Sequence, residues 1–174
     1  MPAPEKPRRP SPAKRFAEIG RISIFGITER MGPVALQLYA EMYLAAAQAL
    51  PKPDVPFEPV RPYLVCHAIE LGLKAFLSLR GREMLDLADG QYGHKLSSIL
   101  TAAEEAGLLA AAPLTEAHRD AICAAETYYA GKVFEYPAVG ESLPAYPKMP
   151  PLDTLFEAAS TLTSALAKPC REAK

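Results

Sequence analysis

The chain has 174 residues, of which 49% are hydrophobic and 22% charged, and its formal net charge is −1. That length and balance suit one compact domain with a substantial core. Its three cysteines, Cys66, Cys123 and Cys170, are widely spaced and lack any CxxC or CxxH pattern, which argues against a disulfide framework and against a zinc site.

The N-terminus, MPAPEKPRRPSP, holds no apolar stretch that would serve as a signal peptide, and residues 1–20 read as a disordered, basic, Pro-rich leader. Charge is uneven: about +4 accumulates through Arg21, leaving about −5 on the remainder. RISIFGIT, residues 21–28, alternates weakly and suits a short strand or an irregular arm at the start of a single domain spanning 21–170. No apolar run of about 18 residues stands out as a bilayer span, so the expectation is a cytoplasmic protein without a membrane partner.

Fifteen of the 18 prolines fall in three clusters, Pro2–Pro12, Pro51–Pro62 and Pro137–Pro151, which punctuate the chain because proline breaks helices. Between them the sequence reads as helix. The first helix is expected over about 33–50, with Leu36, Tyr39, Ala40, Tyr43, Leu44 and Ala47 on one apolar face. The second starts near Pro62 and stops at Gly81; a third runs from about His94 to Ala106 and ends at Gly107. A fourth begins near Thr115, a suitable N-cap, and carries Ala121, Ile122, Ala125 and Tyr129; a fifth covers about 153–167. The fold class is all-α, an up-and-down helical bundle of about five helices with a Pro-rich leader and connections.

The second helix contains HAIELGLKAFLSLRG, residues 67–81, apolar around most of its circumference. At about 100° per residue, Glu70 lies near −60° and Lys74 near −20° of His67, so the three share one narrow polar stripe. Two readings stay open. A surface Glu70–Lys74 pair at i,i+4 contributes about 0.2–0.5 kcal/mol; a buried stripe needs partners from other helices and organises either the fold or a site.

Three segments taken in order resemble the HEPN family, the helical domains of higher eukaryotes and prokaryotes named for nucleotide binding. They are HAIELGLKAFLSLRG, then GHKLSSILTAAEEAGL (93–108), then TYYAGKVFEYP (127–137), and the likeness spans about residues 33–168. It implies a helical bundle that is often a homodimer and commonly binds nucleotides or RNA. It also implies a setting in toxin–antitoxin or phage-defence systems, frequently beside a nucleotidyltransferase. Ribonuclease members carry an Arg followed after four to six residues by a His on the later helix. Here that helix has no such His, Glu135 stands where the family has Arg, and Lys95 stands where Asp is common.

Arg61 and His67 show the ribonuclease spacing, but on the wrong helix, about 120° apart, and with Arg61 before Pro62 and so expected outside the helix. His94 opens a helix, where it is placed to cap free N–H groups, and His118 is expected to face solvent. Tyr128 and Tyr129, with Lys132 nearby, suit stacking and pairing with a nucleotide. The chain has no Gly-rich phosphate loop, GxSxG elbow or HExxH motif, and no metal site or cofactor is expected. The candidate binding or organising network is therefore His67, Glu70, Lys74, His94, Tyr128 and Lys132. The reading is a non-catalytic, HEPN-like homodimeric module; the alternative is a ribonuclease toxin using Arg61 and His67.

Overall fold

Residues 32–51, 54, 58–88, 92–136 and 146–173 are described by the computed structural model. The leader, the alternating segment 21–28 and parts of the second and third proline clusters lie outside the described residues. Everything described belongs to one unit, Met31–Lys174. Among the described residues there are helices and no strand: α1 (Pro33–Ala49), α2 (Val60–Leu79), α3 (Met84–Ala88), α4 (Leu96–Glu105), α5 (Leu108–Ala111), α6 (Glu116–Tyr129) and α7 (Leu152–Glu172). The five long ones are the five expected helices; α3 and α5 are short turns between them.

α2 is the axis of the bundle. Thirteen of its twenty residues are buried, and it packs against α1, α7, α4 and α6. Its length and apolarity would also suffice to cross a membrane, a property the sequence reading did not credit to it; here that apolar surface is covered by the other helices. The helix begins two residues earlier than expected because Pro62 falls in the first turn, where its missing N–H forfeits no intrahelical bond. The Glu58 carboxylate accepts from the N–H groups of Val60 (2.6 Å) and Arg61 (2.9 Å), so Arg61 lies inside the helix. At the other end Gly81 adopts φ +84°, left-handed backbone that glycine enters without a Cβ penalty, and α2 stops.

Chain directions follow from side-chain contacts. Arg61 at the start of α2 donates to Ala47 and Leu50 at the end of α1, so this packed pair runs antiparallel. Gln37 near the start of α1 donates to the carbonyl of Thr163, midway along α7 (2.6 Å). α2 and α7 run parallel: Arg61 neighbours Leu152 across a groove, and three turns further along both helices Gly72 faces Leu162. α7 extends past residue 167 to Glu172 because Leu166 and Cys170, four apart, continue its buried face, and Pro169 falls in the last turn.

α4 and α6 form a second antiparallel pair. Glu126 of α6 accepts from the N–H (2.6 Å) and hydroxyl (2.5 Å) of Ser97 at the head of α4, and Arg119 lies 3.5 Å from Glu104 at its foot. Glu126, and not His94, therefore satisfies the N-terminus of α4. Thr115 caps α6 as expected, but His118 does not simply face solvent. It completes a capping box by accepting from the Thr115 N–H at 3.4 Å, and its Nε2 lies 3.4 Å from Glu157 of α7.

Candidate functional site

The polar stripe of α2 is buried. Glu70 is 2% exposed and Lys74 8%, so the surface-pair reading gives way to a network that joins three parts of the chain. Lys74 donates from Nζ to Glu70 Oε1 at 2.6 Å and to the Gly93 carbonyl at 2.8 Å. Gly93, at φ +38°, makes the turn that delivers both this carbonyl and the next side chain. That side chain is His94, whose Nδ1 stands 2.9 Å from Glu70 Oε2. From α6, Tyr129 donates its hydroxyl to the same oxygen at 2.5 Å. His67 Nδ1 is 2.6 Å from the Tyr129 hydroxyl and 3.6 Å from Glu70 Oε2.

Electrostatics follow from that geometry. Burial alone would raise the Glu70 carboxyl, yet the neighbouring His67 imidazole, the hydrogen bond from His94 and the Lys74 ammonium outweigh it and hold it well below the usual carboxylate range. The group is an anion inside the bundle. Burial first, and then the Glu70 charge, drive the Tyr129 phenol far above its ordinary value, so it stays protonated as a donor. The hydrogen bond to Glu70 raises His94 against the opposing effect of burial, with further raising by the charges of Glu70 and Glu135.

Aromatic rings surround the two imidazoles. Tyr43 of α1 meets His67 edge-on at 4.5 Å between centroids, and Tyr63, one turn earlier on α2, stacks on it at 5.8 Å with planes 12° apart. Tyr129 lies edge-on to His94 at 5.4 Å. Glu70 and Lys74 are closed off by these groups, while the His67 side chain is 18% exposed and that of His94 48%. The mouth of the network is thus two imidazoles beside tyrosine rings. A groove of about 530 Å³ lies elsewhere, between the end of α1 and the starts of α2 and α7, and does not reach Glu70.

Four of the residues singled out in the sequence, His67, Glu70, Lys74 and His94, come together here. Tyr128 does not join them: it is buried on another side of α6, its ring packs on Phe134 and Tyr146, and its hydroxyl accepts from the Lys148 N–H at 2.9 Å. Its neighbour Tyr129 takes the place in the network. Lys132 sits past the end of α6 at φ +56°, half exposed, with its ammonium 3.9 Å from Glu135. Arg61 is engaged far from any reacting group, donating to the carbonyls of Ala47 (3.2 Å), Leu50 (2.6 Å) and Pro51 (2.8 Å). Among the described residues no group of three His, Cys, Asp or Glu side chains is arranged to hold a metal ion.

Tyr129 was within reach of the sequence. It follows Ile122 by seven positions and Ala125 by four, which places it on the α6 face that turns toward the bundle interior. Comparison with protein-family models, with curated proteins and with solved structures yields no match.

Proposed function

We propose that this chain is a non-catalytic, HEPN-like binding and interaction module, homodimeric, that takes a nucleotide or RNA at the mouth formed by His67 and His94. The resemblance of its three ordered segments to that family is the ground for the setting, toxin–antitoxin or phage defence, with a nucleotidyltransferase-like protein as partner. The observation that carries the binding reading is the orientation of both imidazoles around one buried anion, His94 directly through Nδ1 and His67 through the Tyr129 hydroxyl. Glu70 and Lys74 are engaged with each other and with neighbouring groups, which makes them struts that orient the rim. His94, raised by its bond to Glu70, offers a charge-assisted donor to a phosphate when its ring is protonated, and the tyrosine rings offer faces to a base. Arg61, whose guanidinium holds the end of α1, is not available to stabilise a phosphate in a cleavage reaction.

Co-purification with nucleic-acid analysis and mass spectrometry, followed by anisotropy titration of a fluorescent oligoribonucleotide into the full chain, tests this. Saturable binding, weakened about tenfold by His94→Ala with helicity intact, is expected for loss of one charge-assisted contact. A chain that purifies free of nucleic acid and nucleotide, and binds neither at high micromolar concentration, refutes the reading.

A further inference from the structure

The groove between the end of α1 and the starts of α2 and α7 is lined by charges of both signs that do not meet. Its volume of about 530 Å³ falls within the range of about 300–1,000 Å³ usual for small-molecule sites. Arg61 stands on one wall. Its Nε and Nη2 donate to the carbonyls of Ala47, Leu50 and Pro51, which fixes the plane of the guanidinium. Nη1 carries further hydrogens and, among the described residues, has no hydrogen-bond partner. The three carbonyls are neutral, so the charge of this cation is not cancelled. On the other wall Asp153 and Glu157, four positions apart, share one face of α7. Asp153 has no ion-pair partner among the described residues, and Glu157 pairs there with His118 alone, its Oε2 3.4 Å from Nε2.

A guanidinium tied to α1 is not free to swing across to α7, so the groove keeps one cation and two carboxylates apart. The half-buried side chains of Leu50, Leu152 and Phe156 supply its apolar surface. We infer that this groove is a second binding site, separate from the histidine mouth, for a zwitterionic α-amino acid with an apolar side chain. The carboxylate of that ligand accepts from Arg61 Nη1, its ammonium donates to Asp153 and Glu157, and its side chain packs on Phe156 and the two leucines. A simple anion meets two like charges on α7, and a simple cation meets Arg61. A molecule that carries both charges close together complements both walls at once. Because three bonds already hold the guanidinium, little ordering of that group remains to oppose binding. The groove does not reach Glu70, so this site and the nucleotide reading stand or fall separately.

Calorimetric titration of the full-length chain tests this, with L-leucine and L-phenylalanine as probes. Each is compared with the analogue lacking its ammonium, 4-methylpentanoate or 3-phenylpropanoate, and with the one lacking its carboxylate, 3-methylbutylamine or 2-phenylethylamine. At least one amino acid is expected to bind saturably with a Kd of about 1 mM or below, and both of its analogues about tenfold more weakly. The double variant Asp153→Asn, Glu157→Gln changes two exposed side chains and leaves Arg61 in place. It is expected to weaken the amino acid about tenfold while the carboxylate-only analogue stays within about twofold of its wild-type affinity. In nitrogen-15 NMR the bound amino acid is expected to shift the Arg61 Nε–H resonance, a readout that needs no variant. The inference is overturned if neither amino acid binds at about 10 mM, if the single-charge analogues bind as tightly as the amino acid, or if the double variant binds it as the wild type does.

Discussion

Tyr129 of α6 and Glu70 of α2 meet through a hydrogen bond of 2.5 Å, inside the bundle and 59 residues apart in sequence. Together with the Glu70–His94 contact it makes one carboxylate the point at which α2, α6 and the turn before α4 are tied together. A charge in that position is tolerated only because donors surround it; removing it leaves them facing nothing.

Glu70→Ala is therefore expected to destabilise the chain by about 3–5 kcal/mol, since it strands the Lys74 ammonium in a buried site. Urea denaturation measures this. The Glu70–Lys74 double-mutant cycle, using Ala and Met respectively, is expected to show a coupling of about 1–3 kcal/mol, and additive losses would mean that the two groups do not support each other.

The same network sets a pH window. The folded Glu70 carboxyl lies below its ordinary value of 4.5, so its contribution is present above about pH 4.5 and is lost as pH falls further. The folded His94 imidazole lies above its ordinary 6.5, so its contribution is present below pH 6.5 and is lost as pH rises through the folded value. The charges facing His94 are Glu70, Lys74 and Glu135. The urea midpoint is expected to be highest between these limits, and His94→Gln is expected to flatten the alkaline decline selectively. An unchanged alkaline limb in that variant would assign the decline to another group.

Much of this arrangement is written in local spacing. His67, Glu70 and Lys74 share a stripe by helix geometry alone, and the Thr115 cap and Gly81 stop mark helix ends by their backbone preferences. What spacing does not convey is which side of a stripe another helix covers. Glu70 and Lys74 have the sequence of an exposed i,i+4 pair, and only α6 and the turn at Gly93 enclose them. The choice between Tyr128 and Tyr129 is likewise a matter of about 100° on one helix, decided by packing: Phe134 and Tyr146 take the first ring, α2 the second. Arg61 was misplaced because a residue before proline disfavours helical backbone, a preference overridden here by the Glu58 cap and the carbonyls of α1.

Arg61→Ala separates holding the bundle from handling a ligand. Its guanidinium reaches the carbonyls of Ala47 and Leu50 at the end of α1, which otherwise lack intrahelical donors, and that of Pro51 just beyond. Loss of these charge-assisted bonds is expected to lower stability by about 1.5–3 kcal/mol while oligoribonucleotide affinity at a temperature where the variant is folded stays within about twofold of wild type. A selective loss of binding, or of any ribonuclease activity found in the wild type, would instead place Arg61 at the site.

The remaining expectation concerns the partner. α1 exposes Leu38, Tyr39 and Met42 in its first half, at 48%, 50% and 66%, and Ala45, Ala46 and Ala49 in its second, with no charged side chain among them. An uncharged helix face with bulky residues at one end and alanines at the other complements itself when two copies meet antiparallel about a two-fold axis, since each large group then lies over a small one. Met42, near the middle of that face, would sit close to the axis. Met42→Glu places two like charges there, so light scattering at about 100 µM, where dimers of ordinary interface size are populated, is expected to fall from a dimer mass to the 18.8 kDa of one chain. Because Met42 is exposed in the single chain, unfolding of the monomeric form is expected to change by no more than about 0.5 kcal/mol. A wild type that is already monomeric under these conditions removes the homodimer, and a variant that stays dimeric moves the interface away from α1.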